Sequence, residues 1–286
     1  SMTQKYPDGE KVLSPGTLIV STVAQCKDVY KIVRPDLKHI EDSVITYIPF
    51  DFIDSETFAL GGSAFAQVTN QLGNESVDVK NGNYFVECFE AVQKMVENKL
   101  VLAGHDISAG GLVTALMEMC YPSTKGGIVA DLTSLGEKDS VRVLFSEMPG
   151  VVLQINRKDV DNVSSIAKEF GVKLYQIGTY SSERTLEIKN FKSNYSFDID
   201  QYRELWFRTS YLFDIRQVGE KLATERFENF SKQPLFYDFP TNFKGKLSDY
   251  SLDSSNTPVA AIIREKGSNG DREMAWALHL AGFKVK

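Results

Sequence analysis

The chain has 286 residues, 42% of them hydrophobic and 24% charged, which suits one large globular domain or two modest ones. Its formal net charge is −6, with Lys and Arg scattered among Asp and Glu, so no nucleic-acid footprint is present. No apolar run approaches the roughly 20 residues needed to cross a bilayer, so neither nucleic acid nor membrane is an expected partner. Cys26, Cys88 and Cys120 lie far apart, without the close pairing of a zinc site and without a preceding signal peptide. They read as buried or incidental thiols of a soluble, cytoplasmic protein.

In chain order, Ser1-Met2 resembles the scar of a removed affinity tag, and residues 1–14 are set aside as scar and leader. β-rich runs at Thr17–Val23 and Val44–Pro49 predict strands. Gly61-Gly62-Ser63-Ala64-Phe65-Ala66 opens a helix that continues through Gln67–Leu72 and stops at Gly73. Phe85, Phe89, Val92 and Val96 then recur at helical spacing between Asn81-Gly82 and Asn98, predicting a helix packed by that face.

The apolar run Leu100–Ala103 leads into Gly104-His105-Asp106-Ile107-Ser108-Ala109-Gly110-Gly111 and a helix over Leu112–Met119. Further strands are predicted at Gly127–Asp131, Val141–Phe145, Val151–Ile155 and Lys173–Thr179, with a helix over Asp159–Phe170 closed by Gly171. The alternation implies a mixed α/β or α+β domain over 15–189. From Asp200 to Phe230, Leu205, Leu212, Ile215, Val218 and Leu222 form the stripe of one long connecting helix. The Pro-, Ser- and Asn-containing stretch 231–258 reads as linker, so 190–258 connects two domains. Val259–Ile263, Gly270–Ala281 and Phe283–Lys286 then read as strand, helix and strand. A single βαβ unit cannot cover both faces of a parallel sheet, so its domain is expected to continue in a longer chain.

The loop from Gly104 to Gly111 holds the strongest chemical signal. A helix start offers unpaired backbone N–H groups and a positive dipole end, and glycines allow close approach. Phosphate oxygens fit there, with Ser108 adding a hydroxyl donor, Gly110 and Gly111 the backbone, and Asp106 a carboxylate for the Mg²⁺ that accompanies a nucleotide. An equal reading makes Asp106 or Ser108 a plain helix cap and His105 a hydrogen-bonded core side chain. Gly61, Gly62 and Ser63 open a second helix in the same manner, but no carboxylate or histidine accompanies them, and close packing against a strand is the stronger account. Glu147 follows the strand predicted at Val141–Phe145, and of its two readings, a side chain facing a site and a solvated strand end, the second is the stronger. His39 and His279 stand alone and receive no role.

These motifs, in this order, resemble those of the large phosphoribosylformylglycinamidine synthases over nearly the whole chain. Leu60–Gln67 is similar to that family's GGSA segment, Gly104–Leu112 to its AGHDxSDGGL loop and Leu144–Glu147 to its LFxEE segment. Gln176-Ile177-Gly178 and Leu205–Tyr211 also fit, and Val259–Phe283 with Arg264–Gly270 resembles the opening of a class I glutamine amidotransferase domain.

The resemblance implies a synthase-superfamily C-terminal-type domain over 15–189, a helical linker, and the truncated start of the glutaminase at 259–286. It also implies ATP and Mg²⁺ as cofactors, with Asp106 as metal ligand and Ser108 as nucleotide contact. The implied reaction is amidation of formylglycinamide ribonucleotide, driven by ATP, with glutamine as nitrogen donor. ATP-fold domains and the rest of the glutaminase would be partners in the same longer chain, leaving no catalytic residue in this segment and no activity in isolation. The Asp that usually follows the loop serine in that family is Ala109 here. An aminoimidazole ribonucleotide synthetase-like enzyme and a noncatalytic scaffold are the competing readings. The amidotransferase-like opening speaks against the first.

Overall fold

The computed structural model describes residues 3–13, 20–26, 28–53, 57–229, 232, 238–239, 241 and 257–286, in two compact units divided after Ser231. Nearly all of the expected linker at 231–258 lies outside the described residues, as do residues 17–19 of the first predicted strand. The described remainder of that strand, Val20–Val23, is irregular, with Val20 72% and Val23 98% exposed. β-propensity alone does not form a strand where no neighbouring strand pairs with it.

The first unit opens with a small hairpin, β1 (Thr3–Lys5) against β2 (Lys11–Leu13). Its main feature is a seven-stranded mixed sheet. The strands are β3 (Ser43–Pro49), β4 (Val101–Asp106), β5 (Gly127–Asp131), β6 (Gly150–Asn156), β7 (Tyr175–Ser181), β8 (Thr185–Asn190) and β9 (Ser193–Asp198), in the spatial order β4-β6-β3-β7-β5-β8-β9. All neighbours are antiparallel except β5 and β8. β3 is buried at all seven positions, which is why it reads as a continuous apolar run rather than an alternating one. The β8–β9 hairpin was not foreseen, and it carries the sheet past Lys189.

Eight helices are described along the chain: α1 (Ala64–Val68), α2 (Gly82–Glu97), α3 (Gly111–Cys120), α4 (Ser140–Phe145), α5 (Val160–Glu169), α6 (Ile199–Val218), α7 (Glu220–Asn229) and, in the second unit, α8 (Asp271–Leu280). On one face of the sheet, Leu112, Leu116 and Met119 of α3 and Val143 and Leu144 of α4 pack with Ile45, Ile128, Val152 and Ile177. On the other, α2 and α5 cover Val44, Ile48, Leu153 and Ile155.

Four sequence expectations are corrected. Residues 141–145 form a helix rather than a strand, because Asp139 caps it, its Oδ1 accepting from the amides of Val141 at 2.9 Å and Arg142 at 3.4 Å. Helix α1 is five residues long and stops well before Leu72. The Thr69 hydroxyl donates back to the Phe65 carbonyl at 2.8 Å and Asn70 takes φ +55°, which together end it.

Helix α2 has the expected limits and caps, but it buries Tyr84, Cys88, Ala91 and Met95. Phe85 and Val92 pack on the edge of that core, while Phe89 is half exposed. The buried stripe lies one residue before the one chosen from the aromatics, because the smaller Cys88 and Ala91 admit the helix close to the sheet. The long helix expected over 200–230 is broken at Gly219 into α6 and α7. Its stripe of Leu205, Leu212, Val218 and Leu222 is half exposed; α6 instead buries Ile199, Arg203 and Phe207. Arg203 directs that choice by donating to the carbonyls of Tyr121 and Ser123 and pairing with Asp200 at 3.2 Å.

The second unit is a βαβ arrangement in which β10 (Val259–Ala260) pairs in parallel with β11 (Lys284–Val285) around α8. Its first strand is shorter than the Val259–Ile263 expected.

Leu116 is fully buried between α3 and the sheet, so it fixes the helix that begins at the glycine loop. Leu116→Ala is expected to lower stability by about 2–5 kcal/mol, read as a shift in the urea unfolding midpoint.

Candidate functional site

Gly104, His105 and Asp106, expected in the loop, are instead the last residues of β4 at the edge of the sheet, paired with Leu153, Val152 and Val151, and the loop proper begins at Ile107. Its register is fixed by Ile107, which is buried and donates its amide to the Gly150 carbonyl at 2.8 Å. Gly110 (φ +89°) and Gly111 (φ +74°) then turn the chain left-handed into α3. At Gly111 a side chain has no room, because a Cβ would stand 2.7 Å from the Leu144 and Ser146 carbonyl oxygens. The missing side chain is what lets the end of α4 run directly against the start of α3.

That contact brings Glu147 into the loop. Its Oε1 accepts from the Gly110 amide at 2.9 Å and from the Ala64 amide, the first of α1, at 2.7 Å. Beside it the rings of Phe65 and Phe145 stack with centroids 4.7 Å apart. Three separate motifs, Gly61–Ser63, Gly104–Gly111 and Leu144–Glu147, therefore meet at one point. Glu147 is not the solvated strand end expected: it follows a helix and binds two amides. The interaction joins positions 37 and 83 residues apart, which no local pattern announces.

The expected site residues divide by what they face. The Asp106 side chain is 72% exposed and Ser108 is exposed, so both are open to an incoming ligand. The Gly110 amide is taken by Glu147, and the Gly111 amide donates to the Ser108 carbonyl at 3.0 Å. His105 stands beside the Asp106 carboxylate, with its Nδ1 3.6 Å from Oδ1. Its Nδ1 lies 2.7 Å from the Asp106 carbonyl and its Nε2 3.3 Å from Glu118, whose other oxygen accepts from the Trp206 indole at 3.0 Å. This chain of contacts braces β4 against α3 and α6.

The amides of Gly61, Gly62 and Ser63 donate to the carbonyls of Glu75, Leu72 and Leu60. A Cβ on Gly61 would stand 2.4 Å from the Glu75 oxygen, so the close packing is against the irregular 71–75 segment and not the expected strand, while Gly62 has open space and Ser63 caps α1 through a bond from the Ala66 amide at 3.2 Å. Among the described residues no cluster of three His, Cys, Asp or Glu side chains could hold a metal.

A second feature escaped the sequence reading. Asp51, buried at the end of the β3 region, accepts from the amides of Phe52 at 2.8 Å, Asn81 at 3.2 Å and Lys80. It fastens the 74–80 segment beside a cavity of about 460 Å³ lined in part by Ala59, Glu75 and Met148. The Cys88 thiol lies close to Asp51, donating to the Pro49 carbonyl at 3.5 Å. Burial pushes Cys88 up to about 11 and Cys120 up to about 12, so both stay protonated near neutrality, whereas Cys26 is exposed.

Residues 54–189 match the family described as AIR synthase related protein, C-terminal domain. The first unit thus carries a synthase-type domain of that class. Along its length the chain is a homologue of phosphoribosylformylglycinamidine synthases. It is 34% identical to the one from Dictyostelium discoideum, covering 100% of this chain and 23% of that protein. It is 35% identical to a probable chloroplastic/mitochondrial one from Arabidopsis thaliana (98% and 20%) and 33% identical to the Homo sapiens protein (96% and 21%). The chain spans about a fifth to a quarter of the length of these relatives. Among solved structures, a Thermotoga maritima PurL complexed with FGAR aligns with 61% of this chain and 30% of its own, at TM-score 0.49 and 18% identity, a likeness too faint to bear on this chain. No helix among the described residues is long and apolar enough to cross a membrane.

Iodoacetamide applied to the native chain at pH 8 is expected to modify Cys26 alone, with Cys88 and Cys120 reacting only after denaturation; peptide mass mapping reads the outcome. Gly111→Ala is expected to cost about 2 kcal/mol or more, through both the left-handed backbone and the carbonyl contact, read as a lower thermal midpoint.

Proposed function

We propose that this chain is the segment of a phosphoribosylformylglycinamidine synthase that presents Asp106 and Ser108 to the phosphates of ATP. In this reading the longer polypeptide uses ATP to activate the amide oxygen of formylglycinamide ribonucleotide and replaces it with nitrogen from glutamine. The carrying observation is the pairing of identity to these synthases over the whole chain with an open carboxylate and hydroxyl at the mouth of α3.

The division of labour follows from the geometry. Because the Gly110 and Gly111 amides are bonded within the chain, recognition of phosphate falls to side chains. The Ser108 hydroxyl donates one hydrogen bond. Asp106 fits as one oxygen ligand of Mg²⁺, whose remaining positions are filled by water, phosphate and other domains, since such ions rarely sit in an all-protein cage. When bound, the ion would neutralise phosphate charge. His105 holds β4 in register beside Asp106 and takes no part in proton transfer. The cytoplasmic setting, and residues 259–286 as the opening of a glutamine amidotransferase domain, belong to the same proposal. The buried, protonated Cys88 and Cys120 are unsuited to be that domain's nucleophile.

The test is carried out in the full-length enzyme, with bound nucleotide and glutamine-dependent amidine formation as readouts. Asp106→Ala and Ser108→Ala are each expected to weaken nucleotide binding about 10-fold or more, the scale of a lost charge-assisted contact. Folded variants with wild-type nucleotide content and activity would leave the loop a helix cap and end this reading.

A further inference from the structure

We infer that Glu147 is the positioning residue of the nucleotide loop: its carboxylate binds the Gly110 amide at the N-cap of α3 and so fixes the loop backbone from which Ser108 projects, beside Asp106 at the end of β4. The inference rests on the nucleotide reading of that loop and adds a residue to it.

Helix α3 begins without a side-chain cap of its own. The residue at its N-cap is Gly110, which has no oxygen to offer the unpaired amides of the first turn. The acceptor arrives from the segment that leaves α4. A single oxygen of Glu147 takes the Gly110 amide at 2.9 Å and the Ala64 amide at 2.7 Å, so one atom ties two helix starts together. Both distances are ordinary N–H···O lengths, so what the arrangement requires is an acceptor oxygen at that place.

The surrounding contacts restrict where Glu147 can stand. Gly111 has carbonyl oxygens where its Cβ would be, so the α3 start and the 144–146 backbone touch directly. The Phe65–Phe145 stack closes the same seam from the α1 side. Ile107, between the exposed Asp106 and Ser108, is pinned to Gly150, the residue that opens β6 three positions after Glu147. The loop is thus held on one side by Gly150 and on the other by Glu147. Between the two anchors lie Ser108 and Ala109, both exposed, and Asp106 is exposed just before the first anchor. Fixing their backbone lowers the entropy that a ligand must remove on binding, which is how a residue that touches no ligand alters affinity.

Two properties of Glu147 can be separated by substitution. Glu147→Gln keeps an oxygen at the same reach and loses the charge. Glu147→Asp keeps the charge on a side chain shorter by about 1.5 Å, too short to serve both amides. Both are milder than truncation, and both are made in the full-length enzyme alongside Asp106→Ala.

The expected result is a KM for ATP within about threefold of wild type for Glu147→Gln and raised about tenfold for Glu147→Asp, with KM for glutamine changed less than about twofold in either. Restored ATP affinity in the Gln variant shows that the acceptor, placed at that distance, is what matters. The inference is overturned if Glu147→Asp matches wild type while Glu147→Gln is impaired. It is equally overturned if KM for both substrates rises together with a lower melting temperature, the mark of a general structural role. If both variants match wild type while Asp106→Ala loses nucleotide, only the role of Glu147 has failed. If Asp106→Ala keeps its nucleotide, the underlying reading of the loop has failed and this inference falls with it.

Discussion

One carboxylate oxygen accepting two backbone amides requires that both helix starts lie within 3 Å of it, and the fold is arranged to meet that requirement. Glu147 sits between α4 and β6, and β6 lies between β4 and β3 in the sheet. The strand that follows Glu147 therefore pairs directly with the strand that delivers the loop. β3, on the other side of β6, leads by way of the Asp51 region to the Gly61–Ser63 turn and α1. Neighbouring strands are thus the reason that residues far apart in sequence converge at one end of the sheet. Loss of the sheet order would separate them, whereas loss of Glu147 would leave the sheet intact and release only the loop.

The parts of this arrangement legible in the sequence are those governed by local forces. β3 announces itself as an apolar run because burial on both faces leaves no reason for alternation. Asn81 marks the start of α2, and its side chain does accept from the Tyr84 amide. What local pattern could not supply was the choice among competing apolar faces. In α2 the large aromatics suggested Phe85 and Phe89, but the helix approaches the sheet through Cys88 and Ala91 because small residues permit the closer contact. In α4 the β-branched Val141 and Val143 favour a strand, and a single Asp139 cap with tertiary packing outweighs that weak preference.

The site followed the same division. Asp106, Ser108 and the two glycines lie within six residues and were visible as a strand-loop-helix unit. His105 was visible too, and one of its alternatives, a hydrogen-bonded structural side chain, agrees with its contacts to Glu118 and the Asp106 carbonyl. Glu147 was seen and set aside, because a glutamate after an apolar run looks the same whether it meets water or two amides. Only the adjacency of β4 and β6 distinguishes these cases. Asp51 was missed for the same reason, since its amide partners at Lys80 and Asn81 come from a segment about thirty residues away.

The occupied amides also give Ala109 a physical meaning. In the resembling synthases an Asp stands at this place, whereas this chain carries an exposed Ala between the open Asp106 and the helix start. A phosphate approaching here already meets the negative charge of Asp106 and has Glu147 close behind the Gly110 amide. A further carboxylate at 109 would add repulsion unless a cation bridged it, because exposed like charges are screened only partly at such short range. With Ala109 the charge balance is simpler. Asp106 is then the one exposed carboxylate of the loop, Ser108 its one exposed hydroxyl, and the Glu147 carboxylate on the inner side is satisfied by the two amides it accepts from.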